Sequence, residues 1–207
     1  MSIIEKLASS LGRRDEVPNQ ELAKQIVENN DKQAVKELVE NLNHKNKDIQ
    51  SDCIKVLYEI GKRKPSLILP YASAFVILID SKNNRLQWGA MTALNSITAE
   101  TPQTVYDCLP KLASIADKGS VITKDNYVGI LIKLCAIKEY NSEVFGLLNE
   151  QLLTCPMNQL PMYAENALHI IDGRNKVAFV KTLTLRLDNF EEETKRKRVE
   201  KILKRLR

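Results

Sequence analysis

Aromatic residues make up only 5% of this 207-residue chain, and glycine fills only seven positions. A sequence this poor in both lacks the alternation of β-branched and aromatic side chains that strands need. Histidine occurs only twice, as His44 in a turn and His169 on a helix, far apart in sequence, and His169 is read as an ordinary helix-surface or core-edge residue rather than a ligand. The four cysteines, Cys53, Cys108, Cys135 and Cys155, form no C-x-x-C pair. At least three sit among apolar neighbours at helical positions, which reads as reduced, buried thiols in a reducing compartment. No Gly-rich phosphate loop, H-E-x-x-H, nucleophile elbow or calcium loop occurs. No uncharged run of transmembrane length exists. The first seven residues, MSIIEKL, carry charges where a signal peptide needs an apolar run. The expectation is a cytoplasmic, non-catalytic protein with no cofactor, no metal site and no membrane span.

What the chain does have is repetition. Residues 83–97 (NNRLQWGAMTALNSI) put small or apolar side chains at Leu86, Gly89, Ala90, Ala93, Leu94 and Ile97, the single buried stripe of a helix. Ile49, Cys53, Ile54, Val56, Leu57 and Ile60 fill the same template over 49–60. It returns at 160–171 and, more faintly, at 126–137 and 195–206. One anchor leucine recurs at Leu57, Leu94, Leu134, Leu168 and Leu203, at intervals of 37, 40, 34 and 35 residues. A period of this kind marks a helical repeat array.

The predicted fold is all-α: a right-handed α-solenoid of about five helical hairpins with an N-terminal helical cap. In the cap, residues 1–31, Ser2-Ile3-Ile4-Glu5 is a candidate capping box opening a short helix toward Gly12, and Pro18 opens a second helix. The array, residues 32–207, is one continuous domain with repeats at about 32–65, 66–100, 101–140, 141–173 and 174–207. Asp48 is the expected cap of the helix that ends near Gly61. Pro70 and Pro110, 40 residues apart, fall inside the first helix of their repeats and are expected to kink it.

L-Q-W-G-A-M-T-A-L-N-S-I (86–97) and I-Q-S-D-C-I-K-V-L-Y-E-I (49–60) resemble the second helix of a HEAT repeat, a pattern of roughly V-R-x-x-A-A-x-A-L-x-x-L. The resemblance covers about residues 32–207. It implies an armadillo-like solenoid whose second helices line a concave side. Asn126 and Lys195 stand where that pattern has an apolar residue, and Gln50 and Gln87 replace its usual Arg. Some HEAT-like proteins are DNA glycosylases acting on alkylated purines, with aromatic and carboxylate residues around a positive groove. Here Trp88 is the only tryptophan and no acidic residue lies beside it in the aligned column.

The template also tells which side chains leave the core. The outward columns read Ser51, Lys55, Tyr58; Trp88, Thr92, Asn95; Val128, Ile132, Cys135; Met162, Asn166, His169; and Lys197, Lys201, Lys204. Trp88, Val128, Ile132 and Met162 would form an apolar strip if exposed; the alternative is that helix 126–137 is buried on every side. The carboxylates Asp48, Asp52 and Glu59 are read as capping and solvated groups.

Charge is uneven. Residues 174–207 hold twelve Lys or Arg against five Asp or Glu, whereas the whole chain is only +5. In the last helix Lys197, Arg198, Lys201, Lys204 and Arg205 lie opposite the apolar Val199, Ile202, Leu203 and Leu206. This basic patch is either a solvated capping face or an electrostatic surface for phosphate backbones, an anionic membrane or an acidic protein, with nucleic acid favoured among these. The leading expectation is a scaffold binding another protein through its concave ridge: Trp88, Thr92, Val128, Ile132, Met162, Asn166 and His169. The alternative is a nucleic-acid-binding protein using the last helix.

Overall fold

The computed structural model describes residues 2–206, and every regular element among them is a helix. Two compact units divide after Tyr127.

In the first unit the chain opens on one 3-10 turn, Ile3–Lys6, rather than a longer helix. Ser2 Oγ accepts from the Ile4 amide at 3.3 Å, as a cap should. The reciprocal carboxylate is not Glu5, which is exposed. Glu37 supplies it instead, accepting from Ser2 Oγ and, at 3.0 Å, from the Ile3 amide. Helix α1 (Val17–Asn29) carries Pro18 in its first turn, where no amide is needed. It stops at Asn30, whose φ of 50° is left-handed. Asp31 caps α2 (Lys32–Glu40) by accepting from the Ala34 amide at 2.9 Å. Helix α3 (Lys47–Arg63) is capped by Asn46, not Asp48, with Asn46 Oδ1 2.8 Å from the Asp48 amide.

Helix α3 is the hub of this unit. It packs against α1, α2 and α5 (Asn84–Ile97), and every residue from Cys53 to Gly61 is buried. Helix α3 ends at Arg63, near Gly61 as expected, with Gly61 inside its last turn. A Cβ there would strike Ser96 Oγ of α5 and, at 2.6 Å, Ile68 Cδ1, so glycine is needed for close approach.

The prolines break their helices instead of kinking them. Residues 65–71 form two 3-10 turns before α4 (Ala72–Leu78), and residues 102–118 split into α6 (Pro102–Tyr106) and α7 (Leu109–Lys118). Pro70 and Pro110 each sit in the first turn of the new segment, where a missing N–H costs nothing. Gln50 and Gln87, the departures from Arg, bond across segments: Gln50 Nε2 to the His44 carbonyl at 2.8 Å, and Gln87 Nε2 to the Ile79 carbonyl at 3.2 Å. The unit boundary falls within α8 (Val121–Cys135).

The second unit continues with α9 (Asn141–Thr154), α10 (Leu160–Ala167), α11 (Lys176–Arg186) and α12 (Glu193–Leu206). Helices α9 and α11 pack together, as do α10 and α12. Thr182 Oγ1 donates to Asn149 Oδ1 at 2.8 Å across the first pair. Arg186 closes the end of α9, donating to the carbonyls of Leu152 at 3.0 Å and Cys155 at 2.8 Å. A cation at a helix C-terminus meets both the free carbonyls and the dipole. Helix α10 is shorter than its template predicts.

Four anchor leucines (Leu57, Leu94, Leu134 and Leu203) are buried, while Leu168 falls in a 3-10 turn and is half-buried. Cys53, Cys135 and Cys155 are buried, and burial pushes the first two thiols up to about 12 and the third to about 11.

Candidate functional site

The outward columns of α3 and α5 bring their aromatic residues together. Tyr58 and Trp88 lie with ring centroids 5.7 Å apart and planes tilted by 52°, within the range of aromatic pairs. Tyr58 is buried and Trp88 half-buried. Lys55 Nζ and Lys62 Nζ stand 4.9 and 4.8 Å from the Tyr58 ring, within cation–π range.

Glu59 organises these cations. Its carboxylate takes Lys55 at 3.3 Å, Lys62 at 3.0 Å and Arg63 at 2.7 Å, with its side chain only 10% exposed. Burial alone would push this carboxyl up. The hydrogen bonds from Arg63 and Lys62, with the charges of Lys62 and Lys55, outweigh that and hold it at about 2. Lys55 is also buried, which works against its charge, but a 2.6 Å bond to Glu16 more than restores it and raises its pKa. Glu59 is therefore no solvated group. The spacing that betrays it is plain: Lys55, Lys62 and Arg63 lie at i−4, i+3 and i+4.

Beside Trp88 runs a chain of polar side chains. Thr92 Oγ1 donates to the Trp88 carbonyl at 2.8 Å and accepts from Asn126 Nδ2 at 3.0 Å. Asn126 Oδ1 accepts from Asn95 Nδ2 at 2.9 Å. Asn126 also donates to the Ile122 carbonyl at 2.8 Å. The residue that departs from the apolar template thus ties the start of α8 to the face of α5.

A cleft of about 470 Å³ adjoins this face. The loop Ala8–Glu16, Asn19 and the N-terminal turns of α3 and α5 enclose it, and Ser51 and Lys55 belong both to its lining and to the outward column of α3.

The second unit holds the rest of the expected ridge. Met162 is half-buried, and Asn166 and His169 are exposed. Val128 and Ile132, by contrast, are only 1% and 5% exposed. The exposed apolar strip drawn through them does not form. Tyr127, Val128, Ile130, Leu131, Ile132 and Leu134 are all buried, so α8 has no wide solvent face for an outward column to occupy.

On α12, Arg198 is held by Glu165 through two bonds of 2.8 and 2.6 Å, and Lys197 faces Glu193 at 3.7 Å. Among the described residues Lys201, Lys204 and Arg205 are exposed with no ion-pair partner. The basic patch is thereby reduced to three free cations. Among the described residues no group of three His, Cys, Asp or Glu is arranged to hold a metal, and no helix is long and apolar enough to cross a membrane.

No protein-family model matches the sequence, and no curated protein matches it. Solved structures do. A crystal structure of an engineered protein superposes with a TM-score of 0.65 at 19% identity, over 100% of this chain and 99% of that one. A designed armadillo repeat protein in complex with peptide (KR)4 gives 0.68 at 15% identity, over 91% of this chain and 87% of that one. Computationally designed armadillo repeat proteins for modular peptide recognition give 0.65 at 17%, over 98% and 97%. At such identities the likeness is one of fold. The chain has a HEAT/armadillo-like helical-repeat fold, an all-helical α-solenoid.

Proposed function

We propose that this protein is a non-catalytic scaffold in the cytoplasm that binds a peptide segment of another protein along the outward columns of its longer helices. The observation that carries the reading is the half-buried Trp88, tilted against Tyr58 and next to the Thr92–Asn126–Asn95 chain. A large, half-buried aromatic supplies contact area at small entropic cost. Amide groups beside it match the evenly spaced N–H and C=O groups of an extended peptide. Peptide binding by designed armadillo repeat proteins of similar fold supports the same use of the surface. Met162, Asn166 and His169 are proposed as partner contacts of the second unit, taken by itself. Val128 and Ile132 contribute by packing rather than by contact.

Trp88 is the only tryptophan, so its emission reports on the site directly. Titrating the purified chain with partner peptides recovered by crosslinking from its native cell should shift that emission and saturate. Trp88→Ala, which removes a half-buried ring, should weaken capture of the same peptides about tenfold or more while leaving the helical signal intact. Capture unchanged in Trp88→Ala and in Asn95→Ala would remove this face from consideration.

A further inference from the structure

In the second unit, the faces that α9 and α11 turn to solvent are more apolar than a solvated helix face should be. Val177, Leu185 and Leu153 are 78%, 62% and 40% exposed. Val177, Lys181 and Leu185 recur every fourth residue, so they share one face along the whole of α11. The other side of that helix, with Phe179, Thr182 and Leu183, is buried. On α9 the exposed side holds Glu150 and Leu153. Helix α12 of the same unit is the contrast: its exposed side carries Lys197, Arg198, Lys201, Lys204 and Arg205 and no large apolar residue. Exposed apolar groups gathered on two adjacent helices mark an interaction surface, as singly scattered ones do not.

Two bonds fix how α9 and α11 lie. Thr182 Oγ1 meets Asn149 Oδ1 and Arg186 meets the Leu152 carbonyl, at sequence offsets of 33 and 34. Both numbers rise together, so the helices run parallel and side by side. Their charges are segregated. Helix α9 carries Glu143 and Glu150 and no base, whereas α11 carries Lys176, Lys181 and Arg186 and no acid. Glu150 and Lys181 are exposed, and neither has an ion-pair partner among the described residues.

We propose that this surface pairs with the same surface of a second copy of the chain, about a two-fold axis parallel to the helices. Such an axis lays α11 of each copy on α9 of the other. At the observed offset Leu185 meets Leu153 of the second copy, Lys181 meets Glu150 of the second copy, and Val177 covers the first turns of its α9. Every contact occurs twice. A two-fold axis across the helices would instead lay α11 on α11, with Lys181, its middle residue, against itself. Like charges oppose that arrangement, so the signs choose between the two. Helices ~17–21 Å long and ~10 Å apart give a surface of roughly 400 Å² per copy. That is at the small end for specific interfaces, and the dimer is accordingly weak and reversible. It is independent of the peptide-binding face on the first unit.

The test is sedimentation equilibrium of the full chain from about 1 to about 500 micromolar. The mean mass should rise from one copy toward two. Lys181→Glu and Glu150→Lys should each weaken dimerisation about tenfold or more, since each turns two attractions into two repulsions. The chain carrying both changes should dimerise like the parent, because its signs are exchanged yet still opposite. Leu185→Asp should abolish the dimer, and Lys201→Glu/Lys204→Glu on α12 should leave it unchanged. All these side chains are exposed, so each variant should keep the parental circular dichroism.

A mass of one copy across the whole range would overturn the proposal, and so would a dimer indifferent to the single charge changes. A double variant no better than the singles would do the same, since opposite signs would then not be what joins the copies. Loss of the dimer in Lys201→Glu/Lys204→Glu alone would move the contact to α12 and dispose of this surface.

Discussion

A single methyl group added at position 89 tests how tightly α3 and α5 are packed. Built on the Gly89 backbone, a Cβ would lie 2.6 Å from Ile54 Cγ1 and 3.1 Å from Ile54 Cγ2. Comfortable carbon contacts begin near 3.5 Å, so an overlap of about 1 Å must be relieved. Ile54 is only 1% exposed and has no room to retreat. Overpacking of this kind costs about 1–3 kcal/mol, and replacing a mid-helix glycine with alanine returns about 1 kcal/mol of helix propensity. Gly89→Ala should therefore lower stability by up to about 2 kcal/mol. The sign should reverse once Ile54 is cut back. Ile54→Ala alone should cost about 2–5 kcal/mol. In that background both clashing atoms are gone, and Gly89→Ala should become stabilising by about 1 kcal/mol. Denaturant midpoints followed by circular dichroism close the cycle, with a coupling of about 1–3 kcal/mol expected between the two positions. Gly146 in α9 is the control, because a Cβ there meets nothing within 4 Å. Gly146→Ala should stabilise by about 0.5–1 kcal/mol. Additive energies at 54 and 89, or a Gly89→Ala that stabilises in both backgrounds, would refute the close-packing account.

The remaining predictions concern charge. The Glu59 carboxyl is held at about 2, below its ordinary 4.5, so its stabilising effect is complete above about pH 4.5 and is lost as pH falls toward 2. Glu59→Gln should flatten the acid limb of a stability–pH curve by about 1–3 kcal/mol over that window; an unchanged limb would show that Glu59 is not held by its three cations. Lys201, Lys204 and Arg205 are the unpaired part of the α12 patch, and three free cations predict at most weak, steeply salt-dependent nucleic-acid affinity. A gel shift that persists at physiological salt and vanishes on charge reversal of those three residues would contradict the protein-binding reading.

Much of the helical framework can be read directly from the amino-acid order. The stripes on 49–60 and 86–97 are complete, and both segments are long helices with Leu57 and Leu94 buried. Elsewhere local signals were ambiguous. A proline four or more residues into an apolar run is compatible with a kinked helix or with two short ones, and at Pro70 and Pro110 the break wins because it leaves no carbonyl crowded by the ring. Leu168 keeps its register in the sequence while the helix beneath it ends at Ala167. The site was legible in part. Tyr58 and Trp88 both stand on outward columns but at different template positions, so their pairing is not legible in the sequence; Val128 and Ile132 stand outward by the same rule and are buried, since an apolar helix has no privileged face. Asn126 looked like a defect in the pattern and proved to be a link between neighbouring segments. The cleft could not be foreseen, because its lining comes from segments up to 77 residues apart, Ala8 to Arg85.

The unbroken burial of α3 from Cys53 to Gly61 has a consequence for how the first unit breathes. Amide protons along that segment cannot trade with solvent by fraying or by lifting one edge of the helix, since every edge is covered. They are released only when α1, α2 and α5 let go together, so deuterium should enter this segment at the rate of the largest opening the unit undergoes. The short 3-10 turns at 65–71 should exchange long before it.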